Sequence, residues 1–90
     1  MYFIYILESQ LSGRFYVGYS ENPDRRILEH NSGKVHSTRN YRPWQKVYTE
    51  SFEQELDAIR REREIKSKKS RKYIQQLIGR DVPTKSRDGQ

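Results

Sequence analysis

The residue best placed to do chemistry in this 90-residue sequence is Glu62. At 100° per residue it projects between Ala58, Ile59 and Ile65, on the apolar stripe of a helix, while Glu64 points the other way. A carboxylate facing inward is costly unless a cation or a metal compensates it. Two readings follow from position alone. One is a structural salt bridge to one of the many arginines; the other is a hard divalent cation held by one carboxylate, with waters and phosphate oxygens completing its shell.

Arg26 and His30 lie one helical turn apart, so both can reach one cleft, whereas Arg25 leaves from another side. A guanidinium suits phosphate because its planar fork donates two hydrogen bonds at fixed geometry while keeping its charge. His30 can orient a water, accept a proton or contact phosphate. Taken singly, each residue is also an ordinary surface residue. Tyr5 and Tyr16 fall on two strands of one predicted hairpin, close enough for both hydroxyls to address one region, although aromatic strand residues commonly belong to a core. Gly18, on the face of Tyr16, hints that something approaches the backbone there.

The elements that must position these groups are legible in the apolar pattern. Residues 2–7 form a continuous apolar run, the pattern of a strand buried on both faces. Residues 15–19 supply a second strand, and the short connection after Glu8 makes an antiparallel hairpin the natural pairing. Asn22, Pro23 and Asp24 read as a side-chain cap, a first-turn proline and an acid near the positive end of a helix dipole. That helix is predicted to run to about Asn31 and to stop before Gly33. Residues 32–43 read as a polar, basic loop closed by Pro43. Trp44 to Phe52 reads as a third strand, giving the hairpin the partner that a two-stranded ribbon needs. From about Glu53 the spacing becomes helical through Leu56, Ala58, Ile59 and Ile65, a break falls around Ser67–Ser70, and Tyr73, Ile74, Leu77 and Ile78 mark a last segment ended by Gly79. In the loop and beside it, Tyr41 and Trp44 suit packing or base stacking. The expected fold is therefore α+β, a three-stranded antiparallel sheet flanked by helices in the order β-β-α-β-α-α. The expected domain covers residues 1–78, with 79–90 as a loose tail holding one apolar residue, Val82.

Charge narrows the partners. Hydrophobic residues make up 32% of the chain, its net charge is +6, its pI is near 9.7 and its mean hydropathy is −1.15. Such an excess favours a polyanion through counterion release and long-range attraction. Eight of the eighteen basic residues fall in the thirteen positions 60–72, a run that a solvated helix face would also explain. Charge alone does not say which polyanion: DNA, ribosomal RNA and an anionic membrane all carry the required sign. Lys34, Arg39 and Arg42 in the loop, and Arg63, Lys66, Lys68, Lys69 and Arg71 in the run, are the candidate phosphate contacts. The absence of cysteine excludes disulfides and thiolate zinc sites. The apolar N-terminus lacks a basic lead and a small-residue cleavage site, and it is too short for a membrane span, so a soluble cytoplasmic protein is expected.

Ile4-Tyr5, Tyr16-Val17-Gly18, Arg26, His30 and Glu62 resemble, in order and spacing, the GIY-YIG nuclease family. The likeness covers residues 1–78 and is greatest to short stand-alone bacterial members, whose chains also end in an Arg- and Glu-rich helix followed by a basic segment like Ile65-Lys66-Ser67-Lys68-Lys69-Ser70. Similarity to the nuclease subunit of the eukaryotic structure-specific endonuclease is visible in residues 13–19 and 22–26. Phe3 stands where the family name has Gly, and Val17 where it has Ile. A strand interior does not need glycine, and the second change removes one methylene.

The resemblance implies a catalytic set of Tyr5, Tyr16, Arg26, His30 and Glu62, with Mg2+ or Mn2+ held by Glu62. In that scheme water attacks phosphorus, the two phenols hydrogen-bond or activate it, and Arg26 stabilises the phosphorane-like charge. Tyrosine ordinarily titrates near 10, so a metal or an arginine would have to favour a phenolate. The expected function is metal-dependent hydrolysis of DNA phosphodiesters, with branched or damaged structures as candidate substrates. The alternatives are a nucleic-acid-binding module that keeps the fold but cuts little, and a basic interaction protein. Ninety residues leave no separate recognition domain, which favours reading of shape or a partner protein that supplies specificity.

Overall fold

The structure, a computed structural model, describes residues 1–80. Strand β1 is Tyr2–Ser9, β2 is Phe15–Ser20 and β3 is Trp44–Phe52; helix α1 is Pro23–Ser32, α2 is Glu55–Ser67 and α3 is Arg71–Leu77. The sheet is antiparallel with the order β2-β1-β3. The expected α+β fold and its order of elements are those observed.

The central place of β1 explains its unbroken apolar run. Ile4, Tyr5, Ile6 and Leu7 are each 0–1% exposed because helices cover both faces. On one face Ile4, Ile6 and Val17 pack with Ala58 and Ile65 of α2 and with Tyr73, Ile74 and Leu77 of α3. On the other, Tyr5, Leu7 and Trp44 pack with Tyr16, Ile27 and Tyr41, under α1. Trp44 and Tyr41 are thus committed to packing. Residue parity sorts the strand: even positions face α2, odd positions face α1.

Helix α1 begins and ends where its sequence signals lie. Asn22 Oδ1 accepts the Arg25 amide at 3.0 Å, Pro23 fills the first helical position, and Gly33 closes the helix at φ 89°. Asn31 then ties the helix to β3: its Nδ2 donates to the Trp44 carbonyl at 2.9 Å and its Oδ1 accepts the Trp44 amide at 2.6 Å. This clamp sets the angle at which α1 crosses the sheet, and with it the direction of Arg26 and His30.

The segment 32–43 departs from the polar loop expected. It contains a short 3-10 turn at Arg39–Tyr41, and Thr38 within it is 2% exposed. The Trp44 indole Nε1 donates to the Thr38 carbonyl at 2.9 Å, pulling the loop beneath the sheet. Leu56, read as part of the apolar stripe of α2, faces solvent at 54% exposure; the stripe begins at Ala58. The break between α2 and α3 falls where the serines stand, and Ser70 Oγ caps α3 by accepting the Tyr73 amide at 3.0 Å. Of the expected tail, residues 81–90 lie outside the described residues, and Arg80 grips the Glu8 carboxylate with two nitrogens, each at 2.6 Å.

Candidate active site

The α1 face of the sheet gathers Tyr5, Tyr16 and His30. Tyr5 pairs directly with Gly18 across the hairpin, and Leu7 with Tyr16, so both phenols rise from the same face on adjacent strands. Their rings stand 6.2 Å apart, and the imidazole of His30 lies 4.7 Å from the Tyr16 ring. Gly18 is what lets Tyr5 lie flat: a Cβ there would meet the Tyr5 hydroxyl oxygen at 2.7 Å and its Cζ at 2.8 Å. The close approach suggested by that glycine is the approach of Tyr5 itself.

Burial separates the roles of these groups. Tyr5 is 1% exposed and His30 has no exposed surface, while Tyr16 remains half-buried. Both imidazole nitrogens are engaged, Nε2 with the Tyr5 hydroxyl at 3.1 Å and Nδ1 with Thr38 Oγ1 at 2.8 Å. The contact with phosphate that the helix position of His30 allowed is not made from this geometry. Burial, reinforced by the charge of Arg26, lowers the His30 pKa to about 4, against a smaller opposing pull from Glu29. The imidazole is neutral near pH 7.

Tyr5 is neutral too. Burial is the largest influence and raises its hydroxyl above the ordinary tyrosine range; Arg26 pulls it back, and Tyr16 and the charge of Glu62 push it up. The protein groups alone do not favour a phenolate. The Arg26 guanidinium is near enough to Tyr5 to offset part of the rise in its hydroxyl's pKa, and it makes a charge-assisted bond to Glu29, one turn along α1. Its side chain keeps 31% exposure. It is thus both braced from within and open to a ligand.

Glu62 approaches from α2, over the β2 edge. Its side chain is 18% exposed, in keeping with its inward projection. The counter-ion is Lys66, with Nζ 3.3 Å from Glu62 Oε2, where an arginine had been weighed; the same ammonium stands 6.0 Å from the centre of the Tyr16 ring. Lys66 thereby links the carboxylate to the phenol pair. Among the described residues no group of three or more acids, histidines or cysteines is arranged to hold an ion. One shielded carboxylate suits a hard cation that retains most of its waters and takes phosphate oxygens as ligands, and does not suit a closed protein cage. The donor set fits Mg2+ or Mn2+ in that open form.

The candidate phosphate contacts divide by what already engages them. Lys34, Arg39, Arg63 and Lys69 are exposed, and among the described residues Arg63 and Lys69 form no ion pair. Arg42 donates Nε to the Arg39 carbonyl at 2.6 Å and packs against Gly33. Lys68 lies 5.5 Å from the Tyr73 ring. Arg71 donates to the Gly13 carbonyl at 2.7 Å and stacks 4.7 Å above Phe15, so it fastens the hairpin turn to α3. Arg61, within the same basic run, binds both oxygens of Glu50 at 2.9 Å and joins α2 to β3.

Two participants were not picked out from sequence. Glu29 was visible in principle as an acid three residues after Arg26. Thr38 carries no periodic signal; only the rule that a buried imidazole needs a partner on each nitrogen points toward one.

A family profile described as the GIY-YIG catalytic domain matches residues 1–74. A UPF0213 protein of Staphylococcus saprophyticus is 39% identical over 67 residues, covering 73% of this chain and 80% of its own. One from Halobacterium salinarum is also 39% identical over 67 residues, covering 73% and 86%. The solution NMR structure of a UPF0213 protein from Bacillus halodurans superposes with a TM-score of 0.55 at 40% identity, covering 87% of this chain and 83% of that one. With a catalytic-domain profile spanning most of its length and relatives of about 40% identity over most of theirs, this chain belongs to the GIY-YIG family, a family of nuclease domains.

Proposed function

We propose that this protein is a metal-dependent endonuclease that hydrolyses DNA phosphodiester bonds. The observation that carries this reading is the guanidinium of Arg26, braced by Glu29 beside Tyr5 yet still open to a ligand, on the face that also presents Tyr16. Arg26 offers a planar, permanently charged fork to the nonbridging oxygens of a phosphate, where negative charge grows as water attacks. Tyr16, the phenol that remains partly exposed, donates to or accepts from the attacking water. Tyr5 and His30 lie beneath and hold Arg26 and Tyr16 in place. Glu62 would hold Mg2+ or Mn2+, which when bound supplies Lewis-acid stabilisation of the phosphate and the leaving 3′ oxygen. Lys66, Arg63 and Lys69 on one side and Lys34 and Arg39 on the other bind the flanking phosphates.

The pairing of Lys66 with Glu62 favours one second reading, a nucleic-acid-binding module in which an ammonium takes the cation's place. One experiment separates the two. Purified protein and its Glu62→Ala variant are incubated with plasmid, single-stranded and branched DNA, with and without Mg2+. Metal-dependent cutting that disappears in the variant supports the nuclease, and its preference among the substrates identifies the structure cut. Binding without cutting in either protein overturns the nuclease reading and leaves the module.

A further inference from the structure

We infer that Thr38, in the segment between α1 and β3, is a positioning residue of this site: through His30 and Tyr5 it sets which way the hydrogen bonds around Arg26 run. The inference rests on Arg26 being the group that meets the substrate phosphate. Tyr5 is 1% exposed, so its hydroxyl proton needs an acceptor inside the protein. Arg26, its charged neighbour, has only donors to offer. His30 Nε2, at 3.1 Å, is the acceptor within reach among the described residues. If Nε2 accepts, a neutral imidazole must carry its proton on Nδ1, and that proton points at Thr38 Oγ1, 2.8 Å away. The Thr38 hydroxyl proton is then left for the Val35 carbonyl at 3.4 Å.

The chain therefore runs one way: Tyr5 donates to His30, His30 to Thr38, and Thr38 to Val35. The consequence lies at the other end. With its proton turned toward His30, the Tyr5 oxygen keeps its lone pairs free for the Arg26 guanidinium beside it. In the opposite tautomer His30 would donate to Tyr5, whose own proton would have to turn toward a group made only of donors. Arg26 would lose its inner support and keep only Glu29. Thr38 is itself fixed, 2% exposed with its carbonyl bound by the Trp44 indole, so the oxygen that receives the Nδ1 proton and supports this tautomer belongs to the packed core.

Imidazole nitrogen NMR on the 15N-labelled full chain tests this, comparing wild type, Thr38→Ser and Thr38→Val. The result expected is Nδ1-protonated His30 in wild type and in the serine variant, which keeps the hydroxyl, and a shift toward the Nε2-protonated form in the valine variant. The Arg26 Nε–H resonance should move with the tautomer. Cleavage by the valine variant should fall about 10- to 100-fold, mainly in kcat, as a misaligned guanidinium no longer meets the transition state, and serine should restore it. An Nε2-protonated His30 in wild type overturns the inference, and that spectrum decides the matter even if the valine variant does not fold. The valine variant keeping the wild-type tautomer overturns it as well. Expected spectra from a protein that cuts no DNA would sink the nuclease reading and leave the hydrogen-bond direction standing.

Discussion

The Tyr5 hydroxyl and His30 Nε2 meet at 3.1 Å across 25 residues of sequence, one group from the central strand and the other from the first helix. The bond joins the central strand to the helix that carries Arg26, the side chain proposed to meet phosphate, and neither partner is open to water. Tyr5→Phe removes one oxygen and keeps the ring. A buried imidazole nitrogen is left without its donor, and the Arg26 guanidinium without its inner acceptor. The variant should fold, lose about 1–3 kcal/mol of stability to the unsatisfied groups, and cut DNA about 100-fold more slowly. Urea unfolding and a cleavage time course check both. Unchanged cleavage would show that Arg26 needs no support from below.

A neutral imidazole sealed in the core also makes stability depend on pH. His30 titrates near 4 in the folded protein against 6.5 for a free side chain, chiefly because burial disfavours the charged form. The unfolded chain therefore takes up a proton in the window between those values while the folded chain does not. By linkage, stability is fully present above pH 6.5 and drains away as pH falls toward 4. Between pH 7 and pH 5 the loss should be about 2 kcal/mol. Denaturation at both pH values reads it directly. His30→Gln, which has no titrating group at that position, should show a much flatter profile, and equal slopes for the two proteins would refute a buried neutral imidazole.

Gly18 gives a steric test of the same arrangement. Its backbone is ordinary strand, so alanine is allowed there conformationally, yet the new methyl carbon would sit 2.7 Å from the Tyr5 oxygen and 3.1 Å from Tyr16 Cε2. Something must move, and both neighbours are the phenols of the site. Gly18→Ala should destabilise by about 1–3 kcal/mol through overpacking, with a loss of cleavage larger than that destabilisation explains. A crystal or NMR structure of the variant should show the Tyr5 ring displaced from the sheet. A ring that stays in place with activity intact would mean that the hairpin has slack the structure does not show.

Much of this was legible from residue order because the governing signals are local. Asn22-Pro23 and Gly33 bracket α1 through groups adjacent in sequence, and the apolar run of β1 marks a strand covered on both sides wherever its neighbours lie. Glu62 stood out for the same reason, since its place on the stripe of α2 follows from three neighbouring residues, Ala58, Ile59 and Ile65. The unreadable parts depend on contacts between distant segments. Thr38 is buried because an indole six residues later pulls its carbonyl inward, and Leu56 is exposed because α2 lies on the sheet only from Ala58 onward. The basic run looked uniform in sequence, although Arg61 and Arg71 are held by Glu50 and by the Gly13 carbonyl. Charge type says nothing of which cations the fold has already used.

That division yields the sharpest prediction about nucleic-acid binding. Arg61 is 20% exposed and forms paired bonds to Glu50, which is itself 24% exposed, so Arg61→Ala leaves a shielded carboxylate whose remaining partner among the described residues is the Tyr48 hydroxyl. Its cost should fall on stability, about 2 kcal/mol, with nucleic-acid affinity per folded molecule nearly unchanged. Arg63 lies two positions on, points to solvent and has no ion pair among the described residues. Arg63→Ala should leave the unfolding midpoint within about 0.5 kcal/mol of wild type. It should also weaken DNA binding and lower the slope of log affinity against log salt by about one, the signature of one lost phosphate contact. Lys69→Ala should behave like Arg63→Ala, and the double variant should lower the slope by about two. Fluorescence anisotropy with a labelled duplex at several salt concentrations, beside urea unfolding of each variant, measures both quantities on the same samples. Should Arg61→Ala lower the salt slope while Arg63→Ala leaves it unchanged, DNA would lie on the β3 side of α2, and the flanking contacts assigned to Arg63 and Lys69 would be wrong.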